Sequence, residues 1–247
     1  MCAIDQQRGS RKVPLFPGAL MFRTFRNLVL GAALAPAVLA QPARGLDDSA
    51  SNLMVVLRES AGANKQDESL VPMGKVKAQL PDGKVVEMEP GWFSYIGDMH
   101  VRFVFDAATT MQGASADDLK RLSLTPEAAL DLAVRNIKRV YGDPQVKPWN
   151  DVMQVQGRSP DLNSSYFLDK QFWSQLLAKH PDGIVALVAK RGGLLYAPLA
   201  DAKAVDGMRR GVAYLHRSSE GQRISSALYL FKDGRWSVFQ PPAAAAR

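Results

Sequence analysis

A short apolar segment near the start of the chain limits how much of the sequence can join the fold. The stretch Met21–Ala40, MFRTFRNLVLGAALAPAVLA, has arginines at its start, an apolar middle, and small residues at the −3 and −1 positions before Gln41. This is the pattern of a secretory signal peptide, which is removed from the mature protein. We therefore predict cleavage between Ala40 and Gln41, with export to the periplasm or the medium of a bacterial cell.

The same segment is a poor match to a membrane anchor. The run Leu28–Ala40 has 13 residues and contains Pro36, whereas a spanning helix needs about 20 apolar residues. No cysteine follows the run, so no site for lipid attachment is present after it. We expect no stable membrane span after cleavage. With translation starting at Met21, residues 1–20 are an untranslated or non-native extension.

The net charge falls sharply when the first 40 residues are removed. The full chain has 31 Lys and Arg against 24 Asp and Glu, a net charge of +7. The first 40 residues hold five of the basic residues and one of the acidic ones, which leaves 26 against 23, or +3. A nearly neutral chain without basic runs lacks the electrostatic pattern of nucleic-acid binding. We expect no nucleic-acid partner.

The chemistry open to the mature chain is narrow. Its only cysteine, Cys2, lies before the signal, which excludes disulfides, thiolate nucleophiles and cysteine-based zinc sites from the mature protein. The sequence has no glycine-rich phosphate loop, no cofactor fingerprint, and no histidine pair at the spacing of a metal site. We predict no cofactor and no metal.

The order of helix and strand signals predicts one α+β domain over residues 53–240. Residues 41–52 are expected to form a flexible lead-in, residues 53–92 a possible N-terminal β appendage, and residues 241–247 a disordered tail. Helices are predicted at 126–141, 169–179 and 202–217, and the apolar run 184–189 is typical of a central strand covered on both faces. Hairpins interleaved with helices favour a mostly antiparallel mixed sheet with about three helices packed on it. A doubly wound parallel sheet is the second choice.

Two local patterns carry more specific expectations. Residues 98–106, DMHVRFVFD, place Met99, Val101, Phe103 and Phe105 on one face and Asp98, His100, Arg102 and Asp106 on the other, which predicts a strand with one face in the core and one in solvent. Gly207 and Gly211 lie within the third helix, where each costs about 1 kcal/mol relative to alanine. Close packing of a neighbouring element on that helix would explain them.

Several segments in order resemble one known family. These are DMHVRFVFD at 98–106, TPEAA at 125–129, AVRNI at 133–137, and the later segments at 182–189, 194–198 and 225–229. Over roughly residues 93–239 the chain resembles the YtpQ-like family of bacterial domain-of-unknown-function proteins. The resemblance implies no activity, cofactor or catalytic residue, because none is assigned to that family.

His100 is the candidate catalytic residue. It lies on the polar face of the predicted strand, where a hydrolase could pair it with the hydroxyl of Ser94 and the carboxylate of Asp98 or Asp106. No GxSxG motif accompanies it. His180 and His216 end predicted helices, where the helix dipole already favours a cationic ring.

The turn at Lys190, Arg191, Gly192 and Gly193 is the candidate anion- or ligand-binding site. It combines two cations with two residues that expose backbone N–H groups, which is a common way to bind an anion. The same composition also fits a solvated hairpin tip.

Two classes of function remain open. The first is an exported, non-enzymatic domain that binds an unidentified protein or small molecule in the cell envelope. The alternative is a periplasmic hydrolase that uses His100 with nearby carboxylate or hydroxyl groups. A structural or assembly factor of the envelope is a third possibility.

Overall fold

Three antiparallel sheets, rather than one, organise the part of the chain that the structure describes. The computed structural model describes residues 47–79, 82–107 and 110–243, which belong to a unit spanning Gly45–Arg247. The predicted extension, the signal peptide with its cleavage site, most of the lead-in and the end of the tail lie outside the described residues. Cleavage and export therefore stay predictions.

The secondary structure has the following bounds. The strands are β1 (Leu53–Glu59), β2 (Val71–Pro72), β3 (Val76–Gln79), β4 (Val85–Met88), β5 (Trp92–Ser94), β6 (Met99–Asp106), β7 (Met111–Gly113), β8 (Gln145–Trp149), β9 (Val152–Gln156), β10 (Ile184–Lys190), β11 (Gly193–Pro198), β12 (Leu228–Lys232) and β13 (Arg235–Gln240). The α-helices are α1 (Ala116–Arg121), α2 (Pro126–Tyr141), α3 (Lys170–Leu177) and α4 (Ala202–Arg217), and 3-10 helices cover Ala50–Asn52, Pro160–Leu168 and Glu220–Gln222.

The expected single sheet with about three helices is wrong. The N-terminal sheet has the strand order β1-β6-β5-β2, with β7 also paired to β6. The C-terminal sheet has the order β13-β12-β10-β11-β9-β8, and β3 pairs only with β4. The N-terminal sheet depends on β1 pairing with β6, whose residues lie 40 to 52 positions further along the chain than their partners. The local pattern of polar and apolar residues does not show which distant strands pair. The number of sheets could therefore not be predicted from the sequence.

The α2 helix begins and ends where its sequence predicts. The Thr125 side chain accepts a hydrogen bond from the Ala128 N–H, and Pro126 occupies the first helical position. Gly142 follows the last turn with a φ of 83°, a conformation that glycine adopts without strain. Inside the helix, the buried Asn136 donates to the carbonyl oxygens of Ala50 and Leu53, each at 2.9 Å. These bonds fix α2 against the start of β1.

The apolar residues form two cores on either side of β10. Ile184, Ala186 and Val188 belong to the larger core, which also contains β1, β6, and the 3-10 helix Pro160–Leu168. Val185, Leu187 and Ala189 face α4 in the smaller core. The prediction of a central strand covered on both faces is therefore confirmed.

Gly207 and Gly211 of α4 do not meet a neighbouring element. A Cβ atom added at either glycine would find nothing within 4 Å, so the expectation of close packing is wrong. Both glycines line an open apolar groove beside Trp149 and Tyr214.

No helix in the described ranges is long and apolar enough to span a bilayer.

Candidate anion-binding site

One face of the N-terminal sheet collects polar side chains from three strands. In the register of the sheet, Arg58 of β1 and Ser94 of β5 lie opposite His100 of β6, and Trp92 of β5 lies opposite Arg102. Because side chains alternate along strands, these residues share one face. The opposite face carries core residues such as Val101 and Phe103, which are fully buried.

The predicted solvent face of β6 is covered. His100 has only 3% of its surface exposed, so the expectation of a half-buried strand is wrong at this position. Its Nε2 accepts a hydrogen bond from Nε of Arg102 at 2.8 Å. The remaining ring nitrogen, Nδ1, must then carry the proton, and it donates to Oγ of Ser60 at 2.9 Å. Both ring nitrogens of His100 are thus used in hydrogen bonds within the protein.

His100 is a neutral imidazole at neutral pH. Burial lowers the pKa of His100 to about 4, and the charges of Arg102 and Arg58 add to the shift. Protonation would also remove the lone pair that accepts from Arg102. The ring therefore acts as a fixed acceptor for that guanidinium.

Arg102 is held in place from two sides. Its guanidinium carbon lies 3.8 Å from the centroid of the Trp92 ring, a cation–π stack. Its Nε–H is used by His100, which leaves the two terminal nitrogens without a hydrogen-bond partner among the described residues. The stack and the bond together present a preorganised pair of N–H donors.

Arg191 brings the β10–β11 turn to the same face. Its positive charge lowers the pKa of both Arg58 and Arg102, after the larger effect of burial on each. The turn is fixed by the Arg191 N–H, which donates to the Gln222 carbonyl at 2.9 Å. Nε of Arg191 is buried and has no hydrogen-bond partner within the described residues. A buried, unpaired N–H of a charged group costs stability.

A cavity of about 470 Å³ runs along this face. Arg58 and Arg191 line it together with Ser159 and Asp161, from the start of the 3-10 helix Pro160–Leu168. Val56 also lines it and is the register partner of Arg102, so Arg102 lies beside the cavity. We call this cavity with Arg102 the arginine cleft.

Positive charge dominates the arginine end of the cleft. Across the described ranges, no carboxylate lies within 4 Å of the side-chain nitrogens of Arg58, Arg102 or Arg191. The charge of Asp161 raises the pKa of Arg58, but burial and the other two arginines lower it to about 10. The Arg58 guanidinium thus stays charged at neutral pH, with Asp161 as the acidic residue that acts on it.

The far end of the cleft is acidic. The phenol of Tyr141, from the last turn of α2, donates to Oδ2 of Asp106 at the end of β6. Burial and this hydrogen bond raise the pKa of Tyr141 to about 12. The cleft therefore has a cationic end and an end built from a carboxylate and a protonated phenol.

The catalytic candidates are not assembled into a triad. Asp98 is buried and accepts hydrogen bonds from the Tyr229 hydroxyl and the Ser226 N–H, each at 3.2 Å, and from Oγ of Ser225. His100 uses both ring nitrogens with Ser60 and Arg102. Ser94 shares its face but forms no side-chain hydrogen bond with it in the described ranges. The structure places Asp98 in a separate buried network.

The four residues of the predicted anion-binding turn do not all line the same cavity. Of the four turn residues, Arg191 lines the arginine cleft, whereas Lys190, Gly192 and Gly193 line a neighbouring depression with it. Gly192 has a φ of 73°, and a Cβ atom there would lie 2.8 Å from the Pro160 carbonyl oxygen. Glycine therefore permits the close approach of the turn to the 3-10 helix, which brings Arg191 to the cleft.

His216 lies outside the arginine cleft. His216 contacts Glu59 with 2.9 Å between Nε2 and Oε1, a pairing between α4 and β1. No group of three or more His, Cys, Asp or Glu side chains suited to a metal occurs in the part of the chain that the structure describes.

Sequence reasoning missed most of the cleft. The alternation of β6 placed His100, Arg102 and Asp106 on one face, but it gave no sign of Arg58, Trp92 or Tyr141. Arg58 directly follows an apolar run, and Tyr141 ends a helix, so each has an ordinary local explanation. The pairing of β1 and β5 with β6 brings Arg58 and Trp92 to this face. The packing of α2 brings Tyr141 to Asp106.

Comparisons with known proteins add no further constraint. No protein family, no curated protein and no solved structure matches the chain. The resemblance to the YtpQ-like family stays a prediction from the sequence.

Proposed function

We propose that the chain is an exported, non-enzymatic domain of the cell envelope that binds an anionic ligand in the arginine cleft. Export is supported by the signal-peptide pattern at 21–40, which predicts a mature chain that begins at Gln41. Binding is supported by the geometry of the cleft. The partner is a small molecule or an exposed anionic group of a larger one.

The convergence of three guanidiniums carries this proposal. Arg58, Arg102 and Arg191 come from two sheets and repel one another, as their lowered pKa values indicate for Arg58 and Arg102. Repulsion of this kind destabilises the empty protein, and an oxyanion relieves it through charge-assisted hydrogen bonds. Arginine is the side chain best suited to bidentate binding of phosphate and carboxylate groups.

The hydrolase alternative has less support from the same geometry. A general base needs a free lone pair within reach of the proton that it takes. The lone pair of His100 accepts from Arg102, and its low pKa of about 4 makes it a weak base. The ring is better suited to orienting Arg102 than to catalysis.

Titration with inorganic pyrophosphate and inorganic phosphate tests the binding proposal. Isothermal calorimetry at low salt should detect binding to the purified protein, weakening as the salt concentration rises because screening weakens ion pairing. Arg102→Gln and Arg191→Gln should each weaken binding by about tenfold, corresponding to the loss of one charge-assisted contact. Arg135→Gln is the matched control, since Arg135 is exposed on α2.

The result that overturns the proposal is equally specific. Equal anion affinity in the Arg102, Arg191 and Arg135 variants would place any binding elsewhere on the surface. Absence of binding by the unaltered protein would remove the proposal altogether. The export part is tested separately by N-terminal sequencing of the protein from its native envelope fraction, where Gln41 is expected first.

A further inference from the structure

The arginine cleft is larger and chemically more varied than an inorganic anion requires. Its volume of about 470 Å³ lies in the range of sites for organic ligands, about 300–1,000 Å³. A water molecule takes about 30 Å³ of liquid volume, so a bare oxyanion would leave most of the cleft to solvent. The lining of the cavity includes Arg58 and Arg191 as well as Asp106.

We propose that the ligand is a phosphate monoester of a sugar or polyol, with its phosphate on the arginines and a hydroxyl group on Asp106. This inference rests on the proposed anion-binding function and specifies its ligand class. It assigns Asp106 and Tyr141 to recognition of the uncharged part of the ligand. Three observations support it: charge at one end, hydrogen-bonding groups at the other, and the distance between them.

The charge at the arginine end matches a dianion. Three guanidiniums and the carboxylate of Asp161 leave a net charge of about +2 at that end, because His100 is neutral. A phosphate monoester carries roughly −1.5 to −2 at pH 7. A carboxylate carries −1 and would leave part of the repulsion between the arginines in place.

The groups at the opposite end are suited to hydroxyls. A carboxylate is an acceptor only, and Asp106 already accepts from the Tyr141 phenol through Oδ2. Its Oδ1 has no hydrogen-bond partner among the described residues. Ser159 and Thr110 add hydroxyl groups to the lining. Most of the lining side chains are polar, which disfavours an apolar ligand body.

The spacing requires a ligand with a body rather than a single anion. Asp106 lies four residues beyond Arg102 on β6, which is about 14 Å along a strand at roughly 3.4 Å per residue. An extended arginine side chain shortens this gap but does not close it. A molecule that contacts both ends must therefore carry its hydroxyl groups several bonds away from its phosphate.

A ligand series on the unaltered protein provides the first test. Calorimetry compares glucose 6-phosphate and glycerol 3-phosphate with inorganic phosphate, glucose and glucuronate at one salt concentration. At least one of the two phosphate esters should bind tenfold or more tightly than inorganic phosphate, and glucose alone should not bind detectably. Tighter binding of glucuronate than of either ester would overturn the phosphate assignment.

Asp106→Asn supplies the second test. This variant should weaken binding of the tighter ester by about fivefold and leave the affinity for inorganic phosphate unchanged, while Arg191→Gln weakens both. Arg135→Gln should alter neither. Because the ligand series needs no variant, misfolding of the Asp106 variant would not remove the test.

The two proposals fail in different ways. If inorganic phosphate binds through Arg191 as tightly as both esters and Asp106→Asn has no effect, the ligand class is wrong and the anion-binding function stands. If neither phosphate nor any ester binds, both proposals fall together.

Discussion

Nε of Arg102 donates to Nε2 of His100 across 2.8 Å while the same guanidinium stacks on Trp92. This contact joins the residue that the sequence marks as a catalytic candidate to a cationic cleft that the sequence does not reveal. It also fixes the tautomer of His100, with the proton on Nδ1 facing Ser60. The imidazole thereby positions Arg102, and its lone pair is no longer available to accept a proton from a substrate.

The neutral state of His100 makes stability depend on pH. The pKa of His100 is about 4 in the folded protein and about 6.5 in an unfolded chain. Between pH 6.5 and 4 the unfolded chain binds more protons at this residue than the folded protein does. The free energy of unfolding therefore falls as the pH drops through this range, and His100 causes no further loss below about pH 4. We expect His100 to account for a loss of about 3 kcal/mol over that range, at about 1.36 kcal/mol per pKa unit. Urea denaturation of the wild type and His100→Gln at pH 7, 5.5 and 4 measures the difference, and parallel curves for the two proteins would contradict it.

Arg191 should lower the stability of the protein and strengthen its binding of anions. Replacing it with methionine removes a buried, unpaired N–H and the repulsion that it exerts on Arg58 and Arg102. We expect Arg191→Met to raise the free energy of unfolding by about 1 kcal/mol and to weaken anion binding at the same time. A thermal melt and a phosphate titration on the same sample measure both effects. A variant that is destabilised and still binds would contradict the assigned role.

The glycines of α4 should be replaceable with a gain in stability. A Cβ atom at Gly207 or Gly211 meets nothing within 4 Å, and alanine favours a helix by about 1 kcal/mol over glycine. We expect Gly207→Ala and Gly211→Ala each to raise the free energy of unfolding by roughly 0.5–1 kcal/mol. Chemical denaturation measures the effect, and a loss of stability in either variant would show that something occupies the groove.

Asp98 should be required for folding rather than for turnover. Its carboxylate satisfies Ser225, the Ser226 N–H and the Tyr229 hydroxyl inside the protein. Asp98→Ala leaves these donors unpaired and should cost about 3 kcal/mol, within the usual range for a broken buried network. Denaturation curves of Asp98→Ala beside the exposed Asp131→Ala give the comparison. Equal stability of the two variants would contradict this structural role and would support Asp98 as a catalytic partner of His100.

The sequence by itself determined the local elements of this protein. Thr125, Pro126 and Gly142 set the ends of α2, and the turn at Lys190–Gly193 joins β10 to β11 as a hairpin. Each of these features depends on backbone preferences and on neighbours a few residues away. Such short-range effects are readable from the chain alone.

Only the tertiary structure decided how many sheets form and where the cleft lies. Arg58 and Arg191 are more than a hundred residues apart in the chain, yet they line one cavity because β1 pairs with β6 and the β10–β11 turn approaches that face. Which distant strands pair depends on the packing of the whole core rather than on any local pattern. The same packing buries His100 against Arg102, and this burial turns a candidate base into a fixed hydrogen-bond acceptor.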